Sequence, residues 1–429
     1  MYKMPKTNVY ADSYLVILNE QESAAKQCGM ETAAQRAQIK YKVDNMKDLL
    51  SIRDEIDQVD SEITRLYLKR MELTGEVAEY KIQTGKKVFD KERERSKLEK
   101  ISALVPGSFL KHGIRELFEH IMSISRKRQY QLLTEHGIGE ENAFTQVDQI
   151  CAKDSRIVFQ GVEGAYAHIA MNEYFGGGAD AECLNSFHVE SWREAMEAIR
   201  DGQADYAVLP IENSTAGVVA ENYDLLIEYD NYIVGEQIIP IRHCLLGLKE
   251  AELSDITSVY SHPQALAQCE RYLQAHEDWD CATEGNTAVA ACKVKKSGNK
   301  HKAAIASELT AKLYGLKILE RNIQTSSENS TRFIIVTNRK IFLKDAAKMS
   351  ICLEVKHQSG SLYHALSHII YNDLNMNFIQ SRPLNGPDGT NWQYRFFIDF
   401  AGNLNESAVS NALRGLSEEC ESIRVLGNY

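Results

Sequence analysis

Arg70 stands in a stripe of apolar residues at helical spacing: Ile52, Ile56, Val59, Ile63, Leu66, Arg70, Leu73 and Val77. Alternating steps of four and three keep these side chains on one side of a helix, a side suited to burial against a second helix. A guanidinium placed there calls for an anion, because an unpaired buried charge costs several kcal/mol. Lys81 follows eleven residues on, close to three turns, and projects from nearly the same face. Two cations on that stripe, with no acid among them, suit a pocket for a small polyanion. The alternative is an arginine at the edge of the seam, its stem along the apolar surface and its head paired with an acid from another helix. Farther on, Asp90, Arg93 and Glu94 share a face, as do Ser125 and Gln129.

A second set of chemistry-bearing residues follows short apolar runs. Gly161–Tyr166 is glycine-rich. Pro210-Ile211-Glu212-Asn213-Ser214-Thr215-Ala216-Gly217 and Ser261-His262-Pro263-Gln264 come after the next runs, and Asn286-Thr287-Ala288 and Asn329-Ser330-Thr331-Arg332-Phe333 complete the set. In open α/β sheets, ligands bind beyond the carboxyl ends of strands, so such loops can converge on one site. Taken singly they say little: a Gly-rich loop turns the chain, and a lone His262 reads as structural.

The elements that must hold these residues fall into three stretches. The chain has 429 residues, enough for several domains, with 44% hydrophobic and 25% charged residues as in ordinary globular proteins. No apolar run reaches membrane-spanning length. Nine cysteines without a C-x-x-C pair suggest reduced thiols and a cytoplasmic setting rather than a disulfide framework or a zinc site. The net charge of −11 speaks against nucleic acid as a partner. Met46–Tyr130 carries 18 basic against 15 acidic residues, +3, which leaves −14 elsewhere.

Residues 1–45 read as a polar leader. Residues 46–133 read as a helical module, with a long first helix ending at Gly85, a second from about Asp90 to Leu104, and a third from about Ile114 to Leu132. A long helix with two short ones buries its own stripe poorly, so a partner subunit is expected. After a linker, residues 155–338 alternate strands and helices and imply an α/β domain with a largely parallel sheet. Its candidate strands are Ile157–Gln160, Tyr206–Leu209, Ser258–Tyr260, Ala303–Ala306 and Phe333–Thr337. A charged connection leads to residues 349–429, whose βαββαβ order reads as a ferredoxin-like sandwich.

The helical module resembles the all-helical chorismate mutases. The matching text is Ile52–Asp57, Lys69-Arg70, Lys81, Asp90–Arg95 and Ile121–Gln129. That family rearranges chorismate to prephenate within one molecule, so it needs no nucleophile and no cofactor. It must hold two carboxylates, enforce a compact conformer and stabilise charge on the breaking ether oxygen. The resemblance implies that Arg53 and Arg70 bind carboxylates, and that Lys81 and Gln129 hydrogen-bond the ether oxygen. Glu94 would hold the ring hydroxyl, with Asp90, Arg93 and Ser125 completing the pocket. Independently of the family, Arg53 and Arg70 are seventeen residues apart and point about 100° away from each other on one helix. The family's solution is an intertwined dimer in which Arg53 enters from the other subunit.

The α/β module resembles the prephenate dehydratases, most specifically through Pro-Ile-Glu-Asn-Ser and Thr-Arg-Phe. The resemblance implies a two-lobed α/β fold like periplasmic binding proteins, with the site in the cleft. Prephenate there loses carbon dioxide and its ring hydroxyl to give phenylpyruvate. Thr331 would be the essential hydroxyl and Arg332 its cationic neighbour, with Asn213, Ser214, Gln264 and Thr287 lining the cleft. A free threonine hydroxyl is a weak acid, so its proton-donor role requires help from neighbours. Ala167 departs from the hydroxyl residue usual in the Gly-rich loop.

The last module resembles the ACT regulatory domain. Gly360-Ser361-Leu362, Asn375 and Gln380-Ser381-Arg382-Pro383 match segments that bind phenylalanine at a subunit interface. Gly360 permits close backbone approach, and the helix start offers free N–H groups to a carboxylate. Gln380 and Ser361 replace an acid and an alanine usual in the family. The expectation is therefore a multidomain enzyme of phenylalanine biosynthesis with mutase and dehydratase activities, regulated by phenylalanine. It would work as a homodimer or higher homo-oligomer, without metal, nucleic acid or membrane. The alternatives are a chain that keeps only one activity, or a non-catalytic sensor of small molecules.

Overall fold

The computed structural model describes residues 48–138, 143–151, 153–176, 184–385 and 392–429. The leader expected over residues 1–45 lies outside them. The chain divides into two units between Leu73 and Thr74, inside the first described helix, α1 (Leu49–Thr84). In the first unit Ile52, Ile56, Val59, Ile63, Leu66 and Leu73 are exposed on the protomer, so the seam is an uncovered apolar face. Arg53 is exposed and Arg70 half-buried.

In the second unit α1 ends where Gly85 takes φ +66°, a conformation that favours glycine. Helix α2 (Lys91–Ser102) starts behind Asp90, whose carboxylate accepts the Arg93 N–H at 3.1 Å. Helix α3 (Ser108–Glu135) follows the Pro106-Gly107 break and runs longer at both ends than the sequence suggests.

From residue 145 the chain alternates. Its first part is β1 (Thr145–Val147), β2 (Arg156–Gln160), α4 (Tyr166–Phe175), β3 (Asn185–Val189), α5 (Trp192–Arg200), β4 (Tyr206–Asn213), β5 (Gly217–Val218), α6 (Ala220–Glu228) and β6 (Tyr232–Pro240). A second lobe holds β7 (Cys244–Gly247), β8 (Ser258–Ser261), α7 (Pro263–Gln268), α8 (Glu270–Gln274), β9 (Asp280–Thr283), α9 (Thr287–Ser297), β10 (Lys302–Ala306), α10 (Glu308–Tyr314) and β11 (Lys317–Arg321). The chain then returns to the first lobe as β12 (Ser330–Thr337) and continues into β13 (Ile341–Leu343).

Two mixed sheets result. In the first lobe β3, β2 and β4 are parallel, and β12 then runs antiparallel between β4 and β6. In the second, β9, β8 and β10 are parallel, and β7 runs antiparallel between β10 and β11. The expectation of a largely parallel sheet holds for three strands of each lobe only. The antiparallel strands belong to the two crossings between lobes, where the chain doubles back. Strand alternation sets the first core: Ile157 and Phe159 face Ala170 and Met171 of α4, while Val158 faces Met196 and Ile199 of α5. Each such fully buried side chain contributes about 1.5–3 kcal/mol. The second lobe has its own core around Leu245, Leu246, Val259 and Ala303–Ala306.

The C-terminal part is β14 (Lys348–Glu354), α11 (Ser361–Tyr371), β15 (Met376–Asn385), β16 (Trp392–Ala401), α12 (Ser407–Glu419) and β17 (Ser422–Asn428), the βαββαβ order expected. Its strands order β15-β16-β14-β17, all antiparallel, under α11 and α12. This sheet is not separate. Strand β17 lies parallel to β6 through Gly427 and Ile233, which joins it to the first lobe in one continuous sheet. A Cβ on Gly427 would fall 2.1 Å from the Ile233 carbonyl oxygen, so only glycine allows that approach. The two segments read as linkers also pair, β1 with β13. Helix α3 packs on α12: Thr134 bonds Asn411 at 2.7 Å, Arg126 pairs with Glu419 at 3.2 Å, and Tyr130 donates to Glu418. No described helix is long and apolar enough to cross a membrane.

Candidate active sites

In the helical part of the second unit, the end of α1 and the start of α2 bring charged residues together. The Lys81 ammonium donates to the Val88 carbonyl at 2.6 Å. Burial and nearby Arg93 pull its pKa below the usual lysine range, against the opposing pull of Glu418, Asp90 and Glu94. Glu94 is held by Arg126, which stacks on the Phe89 ring at 4.6 Å. On α3, Ser125 and Gln129 are buried. The Gln129 amide donates to the Ser125 carbonyl at 3.1 Å, and its own oxygen is buried without a partner. Buried polar atoms rarely stay unpaired, so that end of the amide is the one a bound molecule would satisfy. Lys81, Asp90, Arg93 and Glu94 therefore form one cluster.

The second site lies between the two α/β lobes, in a cleft of about 170 Å³. Asn213, Gln264, Thr287 and Thr331 all line it, as the sequence reading expected. Thr331 and Phe333 reach it from β12, where strand alternation puts them on one face. Strand β4 runs on through Pro210–Asn213, a stretch read as loop from the sequence, and pairs Asn213 with Thr331. Opposite Arg332 and Phe333 this pairing skips Ile211, a bulge that bends β4 beside the site.

The Asn213 amide fixes the Thr331 hydroxyl. Its oxygen accepts from the Thr215 and Ala216 N–H groups at 3.1 and 2.9 Å and from the Thr215 hydroxyl at 2.8 Å. That leaves its nitrogen aimed at Thr331 Oγ1, 2.9 Å away, and at Asn329 Oδ1, also 2.9 Å away. Thr331 Oγ1 thus accepts a hydrogen bond, and its own proton is available to donate.

Arg332 corrects the sequence reading. As the residue after Thr331, it projects from the other face of β12 and does not line the cleft. Its guanidinium lies 3.0 Å from Asp399, 3.3 Å from Glu236 and 3.4 Å from Glu212. Burial opposes its charge, but Tyr429, Asp399, Tyr223 and Glu236 outweigh burial and hold its pKa above the usual arginine value. Ser214 is also outside the cleft lining. Its hydroxyl accepts the Ser330 N–H at 3.0 Å and pins the loop after β4 to the start of β12.

Several lining residues were not singled out from the sequence for this role: Tyr166, His243, Gln268 and Asn286. His243 sits in the first crossing between lobes. Its ring lies 3.2 Å from the Tyr166 hydroxyl and 2.9 Å from Gln268 Oε1, and its backbone N–H donates to Gln324 Oε1 of the second crossing at 3.0 Å. Burial lowers the pKa of His243, against a smaller opposing effect of its Gln268 hydrogen bond, and burial alone lowers that of His262. Both imidazoles favour the neutral form. Among the described lining residues there is no Lys or Arg. Helix α4 begins at the cleft with no side chain capping its first N–H groups, and Ala165, Tyr166 and Ala167 line the wall there. No group of three His, Cys, Asp or Glu side chains among the described residues is placed to hold a metal ion.

In the C-terminal part, Gly360 at φ +81° precedes α11, and Ser361 and Leu362 open it. Asn375 bonds Asn377 at 2.7 Å, and Gln380 donates to the Ser381 carbonyl at 2.9 Å. Arg382 pairs with Asp224 of α6, and Pro383 pairs with Tyr394 in the sheet. No hydrogen bond among the described residues links Gly360–Leu362 to Gln380–Pro383 within one protomer.

The chorismate mutase type II family matches residues 52–130, and the prephenate dehydratase family matches residues 157–341. The bifunctional chorismate mutase/prephenate dehydratase of Enterobacter agglomerans is 34% identical over 388 residues, 89% of this chain and 95% of its own length. The chain belongs to the bifunctional chorismate mutase/prephenate dehydratase family. Members of this family are enzymes of phenylalanine biosynthesis, and this chain carries both activities, chorismate to prephenate and prephenate to phenylpyruvate. Two solved structures resemble part of it. The prephenate dehydratase of Arthrobacter aurescens in complex with L-Phe is 29% identical, with a TM-score of 0.57, covering 64% of this chain and 89% of that one. The quorum-quenching acylase GqqA is 33% identical, also with a TM-score of 0.57, covering 63% of this chain and 96% of that one.

Proposed function

We propose that dehydration proceeds in the cleft with Thr331 as proton donor and with neutral groups, not cations, holding the substrate. As the carboxylate leaves as carbon dioxide, its bonding electrons enter the ring, the ring C–O bond breaks, and the departing oxygen takes the Thr331 proton to leave as water. The Asn213 N–H on Thr331 Oγ1 eases that transfer by stabilising the oxygen that loses the proton. The uncapped start of α4 and the side chains of Gln264, Thr287 and Asn286 meet the carboxylates. A carboxylate held without a counter-ion in a half-dry cleft is not stabilised against losing carbon dioxide, so a described lining without Lys or Arg suits the reaction. The observation that carries this reading is the hydrogen bond from a locked Asn213 amide into Thr331 Oγ1.

For the mutase, Lys81 and Gln129 would meet the ether oxygen, Glu94 the ring hydroxyl, and Arg70 a carboxylate, with Asp90, Arg93 and Ser125 around them. Arg53 would complete the site from a second subunit, whose helix covers the exposed seam of α1. Mixing an Arg53→Ala chain with an Arg70→Ala chain tests this. Mixed dimers should regain part of the mutase activity, read as prephenate formed from chorismate; verified mixed dimers without recovery overturn the shared site.

The C-terminal part is read as a ferredoxin-like ACT domain that takes phenylalanine, as the Arthrobacter aurescens relative does. Gly360, Ser361 and Leu362 would bind its carboxylate, and Asn375 and Gln380–Pro383 would close the site across a subunit interface. Calorimetric titration with L-phenylalanine, paired with dehydratase rates, decides it; absence of binding refutes it.

A further inference from the structure

Strands β4 and β12 carry two dipeptides side by side, Glu212-Asn213 and Thr331-Arg332, paired residue for residue. Alternation sorts them. Asn213 and Thr331 meet on the cleft face, while Glu212 and Arg332 meet on the back. What lies on that back face is the C-terminal part of the chain. Asp399 of β16 bonds Arg332 at 3.0 Å and is nearly fully buried. Its other oxygen is held by Ser350 of β14, whose hydroxyl meets Tyr429 at 2.8 Å. The Arg332 guanidinium also stacks over Phe378 of β15, at 5.6 Å from the ring centre. Phe378 in turn stacks on Tyr223 of α6 with ring planes 9° apart. Two residues farther along β15 begins the segment Gln380–Pro383, and its Arg382 pairs with Asp224, the neighbour of Tyr223.

We propose that Arg332 is a positioning residue for dehydration, acting through its ion pair with Asp399 to fix the strand that aims Thr331. The C-terminal domain is then a wall of the dehydratase machinery and not only an appended sensor. The geometry supports this in a specific way. Arg332 is the covalent neighbour of the proton donor, and the bulge at Ile211 of the facing strand interrupts the β4–β12 ladder just beyond it. Buried charge pairs have narrow geometric tolerance, so the pair sets the strand's position more sharply than apolar packing would. Movement of β15 and β16 reaches Thr331 through one side chain. The link to effector control rests on the reading of this domain as a phenylalanine site; the positioning role does not.

A double-mutant cycle on the full-length enzyme tests it, with Arg332→Gln, Asp399→Asn and the pair. Each single change should lower dehydratase kcat about tenfold to a hundredfold, the scale of a site displaced by around 1 Å. KM for prephenate and the mutase rate should stay within about twofold, and the double variant should be no slower than the slower single one. L-phenylalanine should still bind both singles by calorimetry yet no longer change their residual dehydration. Singles with the wild-type kcat, or losses that multiply in the double variant, overturn the proposal. If Arg332→Gln gives no folded protein, Asp399→Asn decides alone: it is isosteric and can still accept the Ser350 hydroxyl, so an unchanged kcat refutes the role. If the wild-type enzyme does not bind phenylalanine, the effector reading fails, and the cycle on basal rate still decides the positioning role.

Discussion

Replacing Thr331 by Val removes one hydroxyl and keeps the branched shape that β12 accommodates. The Asn213 amide loses one acceptor but keeps Asn329 Oδ1 at 2.9 Å and the Ser330 carbonyl at 3.1 Å. It is therefore not left unpaired, and the cost in stability is about 1 kcal/mol at most. The cost in rate is much larger. A positioned proton donor contributes roughly 10²–10⁴-fold, or about 3–5 kcal/mol of barrier. Phenylpyruvate formation from prephenate at saturation should fall by that factor, while the same preparation still converts chorismate to prephenate at its normal rate. Thr331→Ser restores the hydroxyl and should recover most of the loss. A Thr331→Val enzyme that retains more than roughly a tenth of the dehydratase kcat would show that the proton comes from elsewhere.

Two further outcomes follow from the packing. Burial, together with Lys127, Arg126 and His364, pushes the His368 imidazole down to about 3, whereas an unfolded histidine takes its proton near pH 6.5. Between those values the unfolded chain binds more protons, so stability falls as pH falls, by about 2 kcal/mol from pH 6.5 to 5; urea midpoints should show this slope in the wild type and lose it in His368→Gln. Gly427→Ala forces its new methyl against the Ile233 carbonyl and should destabilise the joint between β17 and β6 by about 1–3 kcal/mol, seen as a lower denaturation midpoint for the dehydratase and C-terminal parts.

The long helices were legible because one physical rule, a 3.6-residue apolar period with Gly85 and Pro106 as stops, covers them. The βαββαβ order was legible from its succession of short apolar runs and helical stretches, although only β15 alternates in exposure and the middle of β14 is buried throughout. The strands at the dehydratase site were not. Pro210–Asn213 opens with a proline and carries Ile211 at a bulge, and Ser330–Arg332 is polar on both faces, so no hydrophobic alternation marks either as strand. A signal for Arg332 was present: with Thr331 facing the cleft, the two-residue period already sends Arg332 away from it. No comparable signal exists for His243 or Gln268. Their partners come from the two crossings and from α4 and α7, and only the folded chain brings those segments together. The three-residue strands β1 and β13 are too short to carry a pattern at all.

The seam at Gly427 and Ile233 bears on how the proposed phenylalanine control can be tested by truncation. Cutting the chain ahead of Lys348 would strip the outer neighbour from β6, leaving a raw hydrogen-bonding edge and an Arg332 that has lost Asp399 but keeps Glu212 and Glu236. Such a fragment invites self-association, so slow turnover by it would not separate the loss of Asp399 from damage at the bared edge. Substitutions inside Gln380–Pro383, with the seam left whole, are the cleaner probe of the proposed phenylalanine site.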